Sequence, residues 1–247
     1  MPDTKDTSSR GYIGPAAYAL ADWRRRINDL YTAVRQTPNA ADAHALWQTT
    51  RSELFRSHPM SPIAAEEQAA FPGLETFPYD PSLRFEVTLE TITGAPVSHD
   101  LGADGMMTTR PLARTEGLTI ACGAELTLFW ITGYGGGIFL PFRDATSGDQ
   151  TYGGGRYLAD AIKGADLGLT DAGRMILDFN FSYTPSCAWN DAYVCPLSPP
   201  ENTLPTAIRA GEVAPGHRLG SQSANAGNIT SSATNNSEQR MKGTAAT

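Results

Sequence analysis

The feature that most constrains this chain is a change of hydrophobic period near residue 78. Before it, apolar side chains recur at helical spacing. Trp23, Ile27, Leu30, Tyr31 and Val34 share one stripe, which predicts a helix over about 15–36. Asn39 or Asp42 is placed to cap a second helix running to about Ser57, with Leu46, Trp47, Thr50 and Leu54 on one side. Ser61 as cap, with Pro62 at the first helical position, predicts a short third helix through Gln68. From Pro78 the period becomes two: Leu83, Phe85, Val87 and Leu89 alternate with Arg84, Glu86, Thr88 and Glu90, the pattern of a half-buried antiparallel strand. Further strands are predicted near Val97 and over 106–109, 118–122, 126–131, 138–142 and 175–183. Helices first and strands afterwards describe an α+β fold, with N-terminal helices packed on a predominantly antiparallel β-barrel or two-sheet sandwich.

One domain is expected over 15–213, helical over 15–70 and β-rich over 78–213, between a disordered N-terminus (1–14) and a disordered tail (214–247) rich in Ser, Asn, Thr, Gly and Ala. A hydrophobic content of 40% with 18% charged residues describes a soluble globular protein. The net charge of −7 argues against a nucleic-acid partner, which needs a basic face. No apolar run reaches the length of a membrane span, and the polar start, Met1 to Arg10, lacks the apolar core of a secretory leader. The cysteines at 122, 187 and 195 fit a reducing compartment, so the expected location is cytoplasmic. The glycosylation-like triplets at Asn228 and Asn235 would matter only in a secreted protein.

The chemistry gathers in Thr151 to Glu212. A strand over 175–183 would put Met175, Leu177, Phe179, Phe181 and Tyr183 on the core face. Asp178 and Asn180, two residues apart, would then converge on one partner from the other face. The structural alternative turns both to solvent or to neighbouring loops. The run from Tyr152 through Gly153, Gly154, Gly155, Arg156 and Tyr157 offers a nest of amides for an anion, with Arg156 as a bidentate clamp. A tight bend between strands is its structural alternative. It matches neither a phosphate-loop nor a dinucleotide motif. The proline-rich segments 184–187 and 195–202 read as a rigid cover that mounts Glu201 and Asn202 near whatever Asp178 faces. Pro141 demotes its strand to an edge or a bulge. Metal-ligand spacings are missing, and His58 reads first as a buried residue bonded to a loop carbonyl.

The pieces TYGGGRYL, LDFNFSYTPSCAWN, CPLSPPEN and IRAGE, with FPYDP and FLPFRD upstream, resemble the family catalogued as domain of unknown function 1684. The matching positions are Gly154, Gly155, Arg156, Tyr157, Asp178, Asn180, Tyr183, Cys187, Cys195, Glu201 and Asn202. Two departures stand out: a longer segment after Leu158, and Thr203 where the family pattern has arginine. The resemblance implies no particular activity.

The functional expectation is a small-molecule-binding protein with a polar pocket on a barrel-like sheet. The ligand is anionic or phosphate-bearing, in one version flavin-like, with no specific cofactor implied. The contacts expected are Gly154, Gly155, Arg156, Tyr157, Asp178, Asn180, Tyr183, Cys187, Glu201 and Asn202, with Trp189 available for stacking. Three alternatives stay open: an enzyme using Cys187 as nucleophile or Asp178 as base, a metal site drawing on Cys187, Cys195, Asp178 and His58, and motifs that are purely structural. Edge strands leave homo-oligomerisation open.

Overall fold

The computed structural model describes residues 15–102, 105–217 and 219. The expectations for residues 1–14, for most of the tail and for the two asparagine triplets lie outside the described residues.

Helix α1 spans Pro15–Gln36 and buries Ile27, Leu30, Tyr31 and Val34, the stripe that its sequence carries. Helix α2 spans Ala40–Ser57 and starts where Asn39 Oδ1 accepts the N–H groups of Ala41 and Asp42 at 2.9 and 3.1 Å. Its inner side holds Ala43, Trp47 and Leu54, and also Arg51, while Leu46 is exposed. Trp47 Nε1 donates to Tyr31 Oη at 3.2 Å, which satisfies both polar tips in the apolar seam between the helices. Helix α3 is shorter than its sequence suggests, Ala65–Gln68. Ser61 precedes it in a turn where its hydroxyl accepts from Ile63 N and donates to Phe55 O.

Among the described residues seven strands follow: β1 (Arg84–Thr91), β2 (Val97–Asp100), β3 (Met106–Glu116), β4 (Thr127–Ile131), β5 (Gly137–Phe142), β6 (Arg156–Asp160) and β7 (Met175–Asp178). They form one antiparallel sheet in the order β6-β5-β4-β3-β1-β7, with β2 beside β3. The sheet nearly closes on itself, because Tyr157 in β6 and Tyr183 beyond β7 exchange main-chain hydrogen bonds at 2.9 and 3.0 Å. Of the two expected architectures the barrel-like one is present. Pro141 does mark a register shift, between β5 and β6, although β5 is flanked on both sides rather than lying at an edge.

Two expected strands differ. Residues 118–122 are not a strand: Thr119–Cys122 forms a helical turn, α4. Its start is organised by Glu125, whose Oε1 accepts the N–H groups of Gly117, Leu118 and Thr119 at 2.9–3.0 Å. The strand expected over 175–183 ends at Asp178, and Phe179–Phe181 forms a 3-10 turn. Asp178 Oδ1 takes the Asn180 N–H at 3.0 Å, a local side-chain bond that competes with continued pairing and turns the chain out of the ladder.

The sheet divides two apolar clusters. One holds Leu118, Leu126, Leu128, Leu140, Phe142, Leu177 and Phe179. The other lies under the helices, where Ile27, Leu30, Trp47, Phe129, Phe139, Tyr157, Phe181 and Tyr183 meet.

Candidate functional site

The residues singled out by sequence fall into four groups, the first and third of which share Glu212 and Tyr152. The first centres on Arg156, which opens β6 and is 1% exposed. Its Nη2 lies 3.2 Å from Asp144 Oδ1 and donates to Ile208 O at 2.9 Å, while Nη1 donates to the carbonyls of Ala210 and Glu212. Burial pulls this guanidinium below its ordinary value, against the opposing influence of Asp144. The cation therefore ties residues 208–212 to the barrel from inside. Gly155 beside it has φ +96°, and a Cβ there would meet Phe142 O at 2.6 Å. Its N–H bonds Tyr152 O, and Gly154 O takes the Ser198 N–H, so the glycine run lies in tight main-chain contact beneath the proline-rich cover.

The second group is Asn202, fully buried, whose Oδ1 accepts from Thr127 N at 2.8 Å and whose Nδ2 donates to Thr127 O and Pro141 O at 2.8 and 2.7 Å. It staples β4 and β5 together at the bulge. Glu201 next to it is exposed.

The third group collects aromatic and thiol side chains. Tyr157 and Tyr183 stand edge to face, 5.7 Å between centroids, with Tyr157 Oη donating to Pro196 O at 2.7 Å and Tyr183 Oη reaching Asp160 Oδ2 at 3.4 Å. Cys187 and Cys195 are half-buried free thiols beside them, Cys187 Sγ lying 3.8 Å from Tyr152 Oη. A small pit of about 40 Å³ opens on the Tyr183 side, lined also by Arg51, Lys163, Thr184 and Ser186 but by neither thiol. Arg51 is bound on its inner side by Glu212, Nε to Oε1 at 2.7 Å.

The fourth group surrounds Asp178 and Asn180, which the turn after β7 brings together: Asn180 Nδ2 donates to Asp178 Oδ1 at 2.7 Å. Asn180 also grips the main chain of Asp80, accepting from its N–H at 2.9 Å and donating to its carbonyl at 2.8 Å. That grip places Tyr79 Oη 3.2 Å from Asp178 Oδ2, while the β1–β7 register sets Arg84 opposite Asp178, Nε to Oδ2 at 4.0 Å. Burial raises the Asp178 carboxyl above its ordinary value, and the bonds from Asn180 and Tyr79 and the nearness of Arg84 only partly offset it. Burial, and then Asp178, pushes the Tyr79 phenol up to about 12.

Asp178 lies on the floor of a cleft of about 290 Å³ between the α1–α2 turn and the β1–β7 pair. Val34, Leu167, Leu169, Ile176 and Phe181 line it, and Arg35, Thr37 and Arg84 contribute polar groups. Arg35 donates to Asp166 O and Thr32 Oγ1, neither of which is charged. Nearby, His44 is ringed by Trp47, Tyr79 and Phe181; among the described residues its Nε2 has no hydrogen-bond partner, and burial lowers its pKa against the opposing influence of the Asn180 main chain.

Sequence reasoning missed Arg35, His44, Tyr79 and Arg84. Tyr79 sits inside the FPYDP piece and was legible as a motif, whereas the other three are identified only by helix placement and by the β1–β7 register. His58 is buried, but its Nε2 faces Asp22 Oδ2 at 3.3 Å, a carboxylate rather than a loop carbonyl, and its Nδ1 accepts from Met60 N. Among the described residues no three His, Cys, Asp or Glu side chains gather as a metal site, so the four weighed for one do not converge. No helix among the described residues is long and apolar enough to cross a membrane.

A family model described as "protein of unknown function (DUF1684)" matches residues 69–213. Among solved structures the chain is similar to the solution NMR structure of an uncharacterized protein from Haloarcula marismortui. The two share 34% identity over 68% of this chain and 90% of that one, at a TM-score of 0.48. No curated protein matches.

Proposed function

The chain belongs to the DUF1684 family of proteins of unknown function, and on that premise we propose that it binds a small amphipathic anion in the cleft above Asp178. The observation that carries this reading is one recessed carboxylate, 4.0 Å from the Arg84 guanidinium, in a cleft with apolar walls that Arg35 also lines. Few polar groups converging in an otherwise apolar cleft, one of them with a displaced pKa, is the usual make-up of a ligand site. Among the described residues Arg35 has no charged partner in its hydrogen bonds, whereas Arg84 lies 3.7 Å from Glu86 and 4.0 Å from Asp178, so Arg35 is the cation left for a ligand. The start of α2 adds the partial positive charge of its macrodipole from the side of Pro38 and Ala40.

In this arrangement the anionic head lies at Arg35 and Arg84 and the apolar body rests on Leu167, Leu169, Ile176 and Phe181. Asp178 accepts a hydroxyl or N–H of the ligand. The cleft volume is at the lower end for small-molecule sites, which favours a ligand smaller than a whole flavin nucleotide. The anion clamp expected at Arg156 passes to Arg84, because Arg156 is sealed among carbonyls and Asp144.

The test is a titration of ¹⁵N-labelled protein with phenyl phosphate, benzoate, riboflavin phosphate and neutral benzyl alcohol. The expected result is saturable shift of the Thr37, Gly168 and Leu169 amides with the two small anions, weakened roughly tenfold by Arg84→Ala. Equal response to benzyl alcohol, or indifference to Arg84→Ala, would refute the reading.

A further inference from the structure

We propose that the pit beside Tyr183 binds a small carboxylate, of the size of formate or acetate, with Arg51 holding its oxygens and the Thr184 hydroxyl donating to it. No residue lines both this pit and the cleft above Asp178, so the site does not rest on the cleft being occupied.

The pit is built around one buried cation. Arg51, on the inner side of α2, is 5% exposed, and its guanidinium carbon lies 5.2, 5.5 and 4.9 Å from the ring centroids of Trp47, Phe55 and Tyr183. Those three rings hold the guanidinium in place. Among the described residues its one hydrogen bond runs from Nε to Glu212 Oε1 at 2.7 Å, which leaves both Nη groups without an acceptor. Burial works against the charge, but the Glu212 carboxylate outweighs it, so the guanidinium stays above its ordinary value.

Glu212 sets a second donor beside the first. Its Oε2 accepts the Thr184 N–H at 2.8 Å, so one fully buried carboxylate fixes both Arg51 and Thr184. Thr184 is itself 2% exposed, and its Oγ1 has no hydrogen-bond partner among the described residues. A buried hydroxyl without an acceptor is costly, and a carboxylate in the pit supplies one. Lys163, half-exposed, stands at the rim with Nζ 3.2 Å from Asp160 Oδ2. Arg51 and Lys163 line the pit, whereas Glu212 and Asp160 do not, nor does any other acid among the described residues. An incoming group therefore meets two cations and no carboxylate.

Size sets the class of ligand. The volume of about 40 Å³ holds roughly three water-sized groups, which is the bulk of a formate ion. Acetate adds one methyl group, for which Trp23, Ile27 and Phe55 form the apolar part of the wall. Inorganic phosphate is larger, and an aromatic acid larger still. A carboxylate also suits the donors: a guanidinium edge takes two oxygens side by side, and the remaining lone pairs accept from a hydroxyl.

The probes are sodium formate and sodium acetate, titrated at constant ionic strength into the ¹⁵N-labelled full-length chain, with sodium phosphate as the size control. The expected result is saturable shift of the Thr184 and Ser186 amides and of the Arg51 Nε–H signal with both carboxylates, and little response to phosphate. Thr184→Val keeps the N–H that Glu212 holds and removes only the hydroxyl, and it should weaken acetate binding roughly tenfold. Lys163→Gln, at the half-exposed rim, should weaken it several-fold and keeps the test open where the valine variant fails to fold. Arg84→Ala separates the two sites, because it removes a cation of the cleft and should leave the shifts at the pit in place. Absence of saturation, indifference to both Thr184→Val and Lys163→Gln, an equal response to phosphate, or loss of the shifts in Arg84→Ala would each overturn the proposal.

Discussion

Arg156 Nη2 and Asp144 Oδ1 form an ion pair at 3.2 Å with both side chains essentially sealed from water. Asp144 Oδ2 at the same time takes the N–H of Ile208 at 2.7 Å and both polar hydrogens of Thr146. The pair is thus one knot joining β6, the loop after β5 and residues 208–212. Removing one partner leaves the other charge buried and unpaired, which is the costly way to break such a pair.

Arg156→Ala is accordingly expected to lose about 3–5 kcal/mol of folding stability, read from urea denaturation. A loss of anion binding with unchanged stability would instead return Arg156 to the role of ligand clamp.

Asp178 behaves in the opposite sense. Its folded pKa lies above the unfolded value, so the folded state holds the proton longer and stability declines as pH rises from the unfolded value through the folded one. Asp178→Asn keeps an acceptor for both Asn180 hydrogens and removes that decline. At neutral pH the variant should be as stable as the parent chain or more so, by on the order of 1 kcal/mol. With one opposing charge gone, its affinity for phenyl phosphate should rise by roughly a few-fold. Calorimetric melts from pH 3 to 7 and a binding titration check both halves.

Glu125 predicts the acid limb. Burial pushes its carboxyl up, but the hydrogen bonds from Thr115, Thr119 and Gly117 outweigh burial and hold it at about 2. A folded pKa below the unfolded one gives stability that is present above the unfolded value of 4.5 and is lost as pH falls through about 2. Glu125→Gln should flatten that limb and lower stability at neutral pH by about 1–2 kcal/mol, discounted for its partial exposure. Urea midpoints at pH 2, 3, 5 and 7 test it.

Much of the frame was legible in the chain because local periods report burial directly. The stripe Ile27, Leu30, Tyr31, Val34 gives α1, Asn39 marks the start of α2, and Pro141 marks a bulge. Less legible were segments where one side chain diverts the backbone. Leu118 to Cys122 looks like a strand, but the Glu125 carboxylate gathers three successive N–H groups into a helical start. Alternation over 175–183 also reads as one strand until Asp178 bonds the N–H two residues on.

The site divides in the same way. The sequence by itself determined which polar residues are unusual: Arg156, Asp178, Asn180, Asn202 and the cysteines stand out as charges, amides and thiols placed among apolar or proline-rich neighbours. Only the tertiary structure decided what each one faces. The nearly closed sheet turns Arg156 inward onto Asp144, the bulge at Pro141 gives Asn202 its carbonyls, and the β1–β7 register sets Arg84 over Asp178. Periodicity fixes the face of an element on which a side chain lies, because it follows from backbone geometry within that element. The partner across the gap depends on register and closure between distant segments, which no local pattern encodes.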